Sequence, residues 1–247
     1  MAQQLAMVID AAKCIDCKGC VAACKVANDV PTGQWRNWIK PTVEEVPIPG
    51  LLKSKPKFQP GACMHCENPT CVDACPTGAT YKDKETGEVV INNALCIGCG
   101  NCIPSCPYDA RFRNEVTRKA DKCNYCPERR AAGLPPACVD TCPTKARVFG
   151  DINDPESAAG ILYRKNKDRL TRISARTDTK PNMFYVGDPG HGDWGGEAVV
   201  PASMVAMKQS APLIKGIVGL SGLGVLAMLG RQLLVGSDAE HKEDSDA

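Results

Sequence analysis

Large apolar residues are sparse over the first 150 positions. Where they gather, they form short runs that lead directly into cysteine-rich loops. The run LAMVID at 5–10 is too short for a helix of ordinary length and fits a strand. It belongs to a unit, AMVIDAAKCIDCKGCVAAC, that recurs 82 residues later as EVVINNALCIGCGNCIPSC. Each copy predicts a short strand, a cysteine loop and the start of a helix, so one supersecondary unit is used more than once. Residues 80–92 read as a hairpin: Tyr81 begins it, Glu85-Thr86-Gly87-Glu88 turns, and Val89-Val90-Ile91 returns into the second copy. A further pair of matching stretches, CVDACPTGA ending at Ala79 and CVDTCPTKA ending at Ala146, completes the repeats.

The remaining segments have a different character. Residues 26–62 are rich in proline and carry Trp35 and Trp38, which predicts an inserted, mostly irregular segment wrapping the core. Residues 151–210 are polar with little periodicity and predict an irregular extension suited to docking on another subunit. Residues 213–235 (LIKGIVGLSGLGVLAMLGRQLLV) are apolar apart from Lys215, Ser221, Arg231 and Gln232. A helix of this length spans roughly 34 Å, enough for a bilayer core. Gly216, Gly219 and Gly222 would give it one small face. Two readings stay open for it, a membrane helix or a helix packed on a partner subunit. The tail after Gly236 is acidic and polar and reads as disordered.

Composition sharpens this picture. Hydrophobic residues make up 43% of the chain, but that figure includes sixteen cysteines, and aromatics are only 5%. So little apolar bulk in the first 150 residues can hardly offset chain entropy by burial alone. A bound metal group would supply the difference, because metal-binding free energy becomes folding free energy.

The cysteines fall into four groups of four. Cys14, Cys17, Cys20 and Cys24 form C-x2-C-x2-C-x3-C, and Cys96, Cys99, Cys102 and Cys106 repeat that spacing before Pro107. Cys63, Cys66, Cys71 and Cys75 form C-x2-C-x4-C-x3-C before Pro76. Cys123, Cys126, Cys138 and Cys142 form C-x2-C-x11-C-x3-C before Pro143. Soft thiolates in runs of this spacing suit iron–sulfide clusters. Disulfides fit poorly, since cysteines three apart in tight loops rarely reach bridging geometry. Zinc prefers two separated C-x2-C knuckles to three consecutive cysteines followed by x3-C-P.

The formal charge of +2 changes meaning if clusters are bound. Ligation by sixteen thiolates would shift it by roughly −8, to about −6. Lys13, Lys18, Lys25, Arg111, Arg113, Lys119, Lys122, Arg129, Arg130, Lys145 and Arg147 lie beside the motifs, where they would offset cluster charge. They follow the cysteines and form no separate basic stripe, which argues against nucleic acid as a partner. His65, inside the second group, is expected to be a supporting residue outside the ligand set or a surface residue, because cysteines already fill the sites. No nucleophile–His–acid arrangement, P-loop or dinucleotide fingerprint is present, so the chain reads as a non-catalytic carrier of electrons.

The order of the four groups over residues 5–150 resembles the four-cluster electron-transfer subunits of the dimethyl sulfoxide reductase family, the complex iron–sulfur molybdoenzymes. That resemblance implies an α+β fold of tandem bacterial-ferredoxin-like modules with long loop insertions, here ending in a C-terminal apolar helix. With the segments read above, the expected domains are 1–150 for the four-cluster domain (insertion 26–62), 151–210 for the extension, 211–236 for the apolar, membrane-associated helix and 237–247 for the tail. The family's nested ligation implies four [4Fe–4S] clusters. One takes Cys14, Cys17, Cys20 and Cys142, and its neighbour takes Cys24, Cys123, Cys126 and Cys138. A third takes Cys63, Cys66, Cys71 and Cys106, and the fourth takes Cys75, Cys96, Cys99 and Cys102.

Cys24 is followed by Lys25 rather than the family's proline, a departure that leaves ligation untouched. The implied partners are a molybdopterin-family large subunit and an integral membrane quinone-binding subunit, with a cytochrome c subunit as a further one. Alternatives of similar chemistry are the electron-transfer subunit of a membrane-bound nickel–iron hydrogenase and a stand-alone polyferredoxin. Residues 1–10 lack the pattern of a secretory signal. The expectation is therefore a membrane-associated chain exported with a signal-bearing partner to the periplasmic face, with the cytoplasmic face as the alternative.

Overall fold

The computed structural model describes residues 3–48, 51–190, 193–194, 196–212 and 216. Its first elements are β1 (Leu5–Asp10), α1 (Gly19–Ala27), β2 (Asn37–Ile48), β3 (Leu51–Ala62), α2 (Thr70–Asp73), β4 (Thr80–Lys82) and β5 (Val89–Ile91). There follow β6 (Phe112–Arg113), β7 (Ala120–Asp121), α3 (Pro127–Ala131), α4 (Ala137–Asp140) and β8 (Arg147–Asp151). The last are α5 (Ala158–Lys165), β9 (Leu170–Thr171), β10 (Ser174–Ala175), β11 (Met183–Val186) and β12 (Asp193–Trp194).

The main sheet has the order β8-β1-β11-β9. β1 runs parallel to β11, pairing Met7 with Met183, and antiparallel to β8, pairing Val8 with Val148. Both of its faces are buried, and side chains alternate between them. Met7 and Ile9 join Met183, Tyr185, Tyr108, Tyr125 and Ile173 in a core that also holds Cys20, Cys63, Cys123 and Cys138. Ala6 and Val8 face the other way and pack with Ala159 of α5, Phe184 and Val186. The sheet is thus a partition, with the cysteine-bearing loops on one side and α5 on the other. The expected hairpin over 80–92 is present as β4 paired antiparallel with β5.

Three expectations are corrected. The segment 26–62 is not mostly irregular: β2 and β3 form a twelve-residue ribbon with Asn37 opposite Ala62 and Ile48 opposite Leu51. Its prolines misled because the ribbon has only two strands, each with a free edge. Pro41, Pro47, Pro56 and Pro60 all occupy pairs of one parity, so their missing N–H groups lie along the outer edges and the ladder runs through the other pairs. Tyr185 Oη donates to the Pro60 carbonyl at 2.8 Å and holds the base of the ribbon.

The segment 151–210 is not irregular either. It supplies α5, capped by Ser157 Oγ accepting from the Gly160 N–H, and β11, whose four residues are all buried. Elements of two to eight residues are too short to show periodicity.

The third cysteine group lacks the helix start that its repeat partner has. Ala22 N donates to the Lys18 carbonyl in the first turn of α1. The equivalent position is Pro104, which has no N–H, and residues 101–105 form turns instead.

Residues from Ala202 onward form a second unit, helical over 202–212. Within it Ser210 Oγ bonds back to the Ala206 carbonyl at 3.0 Å. Among the described residues no helix is long and apolar enough to cross a membrane. The apolar run 213–235 lies outside them except for Gly216, which is helical, and the tail 237–247 lies outside them entirely.

Candidate metal centres

Each cysteine group begins with a C-x2-C loop, and the same backbone device shapes all four. The residue just before the second cysteine is left-handed in every loop: Asp16 (φ 56°), His65 (φ 44°), Gly98 (φ 70°) and Tyr125 (φ 56°). Only glycine adopts this conformation freely; for the others it costs about 1–2 kcal/mol. Such strain persists where surrounding structure over-determines it, and it clusters at functional sites. Left-handed residues in turns of this kind let successive amide N–H groups converge into a nest that suits an anionic group.

The fourth cysteines carry a second device. Three of them begin C-P-x-x, with the last residue left-handed: Gly78 (φ 66°), Asp109 (φ 49°) and Lys145 (φ 53°). The turn brings the backbone back toward the sulfur, so that Thr80 N donates to Cys75 Sγ at 3.3 Å. Burial pushes the Cys75 thiol up, but the N–H groups of Thr80, Thr77 and Ala79 outweigh it and bring the thiol below its ordinary range. Cys142 repeats this with the N–H groups of Arg147, Ala146 and Thr144.

The cysteines gather across the sequence. Cys14, Cys17 and Cys20 line one cavity with Cys142. Cys63, Cys66 and Cys71 line another with Cys106. Burial, with Cys138 and Cys126 close by, pushes Cys24 up to about 12. Burial also pushes Cys123 up, with Cys24 and Cys138 adding to it. Asn28 Nδ2 spans this third group, 3.7 Å from Cys24 Sγ and 3.6 Å from Cys126 Sγ. Around Cys102, burial raises the thiol and Cys75 and Cys96 add to it. Cys63 also acts on Cys123, so those two groups are neighbours. All sixteen thiols are unbridged; Cys17 and Cys99 are exposed and the rest half-buried or buried.

Packing thiols together out of water makes their ionisation costly unless a cation joins them. Arg147 and Arg111 are two of the cations that do, beside Arg36 near Cys24 and Lys122 near Cys71. Arg147 and Arg111 are 2% and 4% exposed. The Arg147 guanidinium has no hydrogen-bond partner on any nitrogen, and Arg111 has none on Nε or Nη2. Desolvation works against both charges, yet Cys138 and Cys20 hold Arg147, and Cys71 and Cys63 hold Arg111, above the ordinary arginine range.

A thiolate-bound iron–sulfide core is both soft and anionic, which fits this donor set and these buried cations. A single metal ion does not fit. Among the described residues no three His, Cys, Asp or Glu side chains converge closely enough to hold one.

His65 lies inside the second group but is no ligand. Its Nδ1 accepts from Val89 N at 3.1 Å and its Nε2 faces the Cys123 carbonyl at 3.2 Å. Burial, with Lys122 nearby, keeps the ring neutral. Sequence reading placed the sixteen cysteines but not Asn28, and it did not separate Arg111 and Arg147 from the other basic residues. The signal for the two arginines was present as a repeated C-P-x-x-A-R at 106–111 and 142–147.

Comparison with known proteins agrees with this chemistry. Two models of the 4Fe-4S dicluster domain match, one over residues 54–152 and one over residues 13–79. The chain is 40% identical over 182 residues to a subunit of tetrathionate reductase from Salmonella typhimurium, covering 74% of this chain and 72% of that one. It is 40% identical over 179 residues to the thiosulfate reductase electron transfer subunit of Salmonella typhi (70% and 92%). It is 40% identical over 189 residues to a subunit of polysulfide reductase from Wolinella succinogenes (75% and 95%).

Proposed function

The chain belongs to the family of iron–sulfur electron-transfer subunits that includes those of tetrathionate, thiosulfate and polysulfide reductase, and from that premise we propose that it relays electrons through four [4Fe–4S] clusters inside a membrane-associated oxidoreductase complex. The ligand sets are Cys14, Cys17, Cys20 and Cys142; Cys24, Cys123, Cys126 and Cys138; Cys63, Cys66, Cys71 and Cys106; and Cys75, Cys96, Cys99 and Cys102. When bound, these clusters supply one-electron redox centres. The protein's part is to hold the sulfurs, aim amide N–H groups at them and keep water from the inner sites.

One observation carries this reading: each of two small cavities joins three cysteines of one sequence group to a fourth from a distant group, Cys142 in one and Cys106 in the other. Sequential ligation would instead keep Cys142 with Cys138. Order along the row follows from the neighbours. The groups of Cys123 and Cys63 adjoin, and the exposed Cys17 and Cys99 belong to the two outer sets. Electrons therefore enter at one outer set and leave at the other. A molybdopterin-family large subunit docks at one end and a quinone-binding membrane subunit at the other. Through these partners the complex associates with the membrane on its periplasmic side.

Metal analysis of anaerobically purified protein tests the count, with about sixteen iron and sixteen acid-labile sulfide atoms per chain expected. Cys142→Ser and Cys20→Ser should perturb the same EPR signal and Cys138→Ser a different one. If Cys142→Ser and Cys138→Ser perturb one common signal, the nested assignment fails. Molybdopterin, and no nickel, is expected in the co-purified large subunit.

A further inference from the structure

We propose that Arg111 and Arg147 are redox-tuning cations, each lodged between two cluster sites and raising the reduction potential of both. This rests on the four-cluster reading and adds a role for two residues outside the ligand sets.

Arg147 lines the cavity of Cys14, Cys17, Cys20 and Cys142, and it also acts on Cys138 and Cys123 of the neighbouring set. Arg111 lines the cavity of Cys63, Cys66, Cys71 and Cys106, and it also acts on Cys102 of the outer set. The two arginines follow their cysteines at the same distance, in C-P-Y-D-A-R and C-P-T-K-A-R. The third copy of the turn, C-P-T-G-A-T, has Thr80 in the arginine's place, and Thr80 Oγ1 accepts from Arg111 Nη1 at 3.3 Å. This turn therefore supplies one guanidinium to each pair of sites.

Arginine cannot shed its proton, so burial leaves it charged. A buried charge without a paired anion is strongly destabilising. The Arg147 guanidinium makes no hydrogen bond to any protein group, so the negative charge that retains it comes from the thiolate-ligated centres on either side. The interaction is mutual. A reduced centre carries one more negative charge than an oxidised one, and a fixed cation close to two centres favours the reduced form of each. It also weakens the repulsion between two electrons held on adjacent centres.

The test is an EPR-monitored redox titration of the anaerobically purified complex carrying Arg147→Met, Arg111→Met or the corresponding lysine variants, with iron and sulfide measured in each. Arg147→Met should disfavour reduction of two centres about tenfold or more, about 59 mV for a one-electron couple, and leave the other two in place. Arg111→Met should shift the complementary two, and lysine should restore most of either shift.

Unshifted potentials with full iron content would overturn the proposal while leaving the four-cluster reading intact. An equal shift of all four centres would also overturn it, because the effect would not be local. If methionine abolishes cluster assembly and lysine restores it, the charge is confirmed as the acting element. If both fail to assemble, shape and hydrogen bonding are what matter, and the tuning role is rejected. Iron far below sixteen per chain in the unsubstituted protein would instead count against the four-cluster reading itself.

Discussion

The rings of His65 and Tyr125 lie stacked, with centroids 3.8 Å apart and 14° between their planes. They hold the same place in two different C-x2-C loops, each just before the second cysteine and each left-handed. In the nested arrangement proposed above, their loops belong to the two inner cysteine sets, and the stack lies where one half of the row would meet the other. Phe149 packs against Tyr125 as well, tilted, with a centroid distance of 4.8 Å. The contact is a packing joint between modules, made by residues that the loop geometry forces inward.

This joint makes a prediction that separates ring from hydroxyl. Tyr125 Oη is buried without a hydrogen-bond partner. Removing such a group while keeping the ring is close to neutral or stabilising by up to about 1 kcal/mol. Truncating a buried aromatic to alanine costs about 3–5 kcal/mol. Tyr125→Phe should therefore lose its clusters in guanidinium at the same rate as the parent or more slowly, and Tyr125→Ala much faster. A fast-bleaching Tyr125→Phe would show that the hydroxyl has a partner and is needed.

Glycine is required at one of the four equivalent loop positions for a reason the others do not share. A Cβ on Gly98 would lie 2.1 Å from the Arg118 carbonyl oxygen, besides requiring φ of +70°. Gly133 has a similar φ of +72° but open space around it. Gly133→Ala should cost about 1–2 kcal/mol of strain. Gly98→Ala should cost more and lower the iron content of its outer centre. Equal losses in the two variants, read from chemical unfolding and iron analysis, would remove the steric part of this account.

The chemistry was far more legible in the sequence than the scaffold. Cysteine spacing is read residue by residue, and Cys142 does lie beside Cys14 although 128 positions separate them. The strand Leu5–Asp10 was also readable because its side chains are apolar on both faces. The ribbon of β2 and β3 was hidden, because proline argues against strand and only the pairing parity reveals that these prolines sit harmlessly outside. β11 was hidden for another reason: Met183–Val186 is four apolar residues with no alternation, and its partner β1 lies nearly 180 positions away. Arg111 and Arg147 were read only as two of eleven basic residues beside the motifs, and the repeated C-P-x-x-A-R that sets them apart gains its meaning only once burial is known.

The ribbon offers a test of attachment. Lys57 Nζ bridges Asp188 at 2.5 Å and Glu44 at 2.9 Å, tying β3 to the loop after β11. The side-chain hydrogen bond from Lys57 holds the Asp188 carboxyl below its ordinary range. A carboxylate shifted down contributes stability that is present above its unfolded pKa of about 3.9 and lost as pH falls through the folded value. At neutral pH the contribution is fully present, so substitution is the clean probe. Asp188→Asn should speed amide hydrogen exchange in the ribbon near Lys57 and leave β1 unchanged. Unaltered exchange in β2 and β3 would mean that Tyr185 and the buried base suffice to hold the ribbon.

The loops that begin at Cys14 and Cys96 present matching apolar residues to the surface. Ile15, between Cys14 and Cys17, is 59% exposed, and Ile97, between Cys96 and Cys99, is 69% exposed. They are equivalent positions of the 82-residue repeat. A lone exposed isoleucine needs no explanation, but each of these flanks the exposed cysteine of an end of the row. A transferring electron must cross to a partner there, so the surface around each should be buried in the complex. A carboxylate placed in the dry centre of such an interface costs about 2 kcal/mol or more, roughly thirtyfold in affinity. Ile15→Asp should therefore release the partner at one end and Ile97→Asp the partner at the other, with iron content unchanged in both. The readout is which subunit remains bound after purification under moderate salt. Loss of the same subunit from both variants would place both residues at one interface, which a row with two ends does not allow.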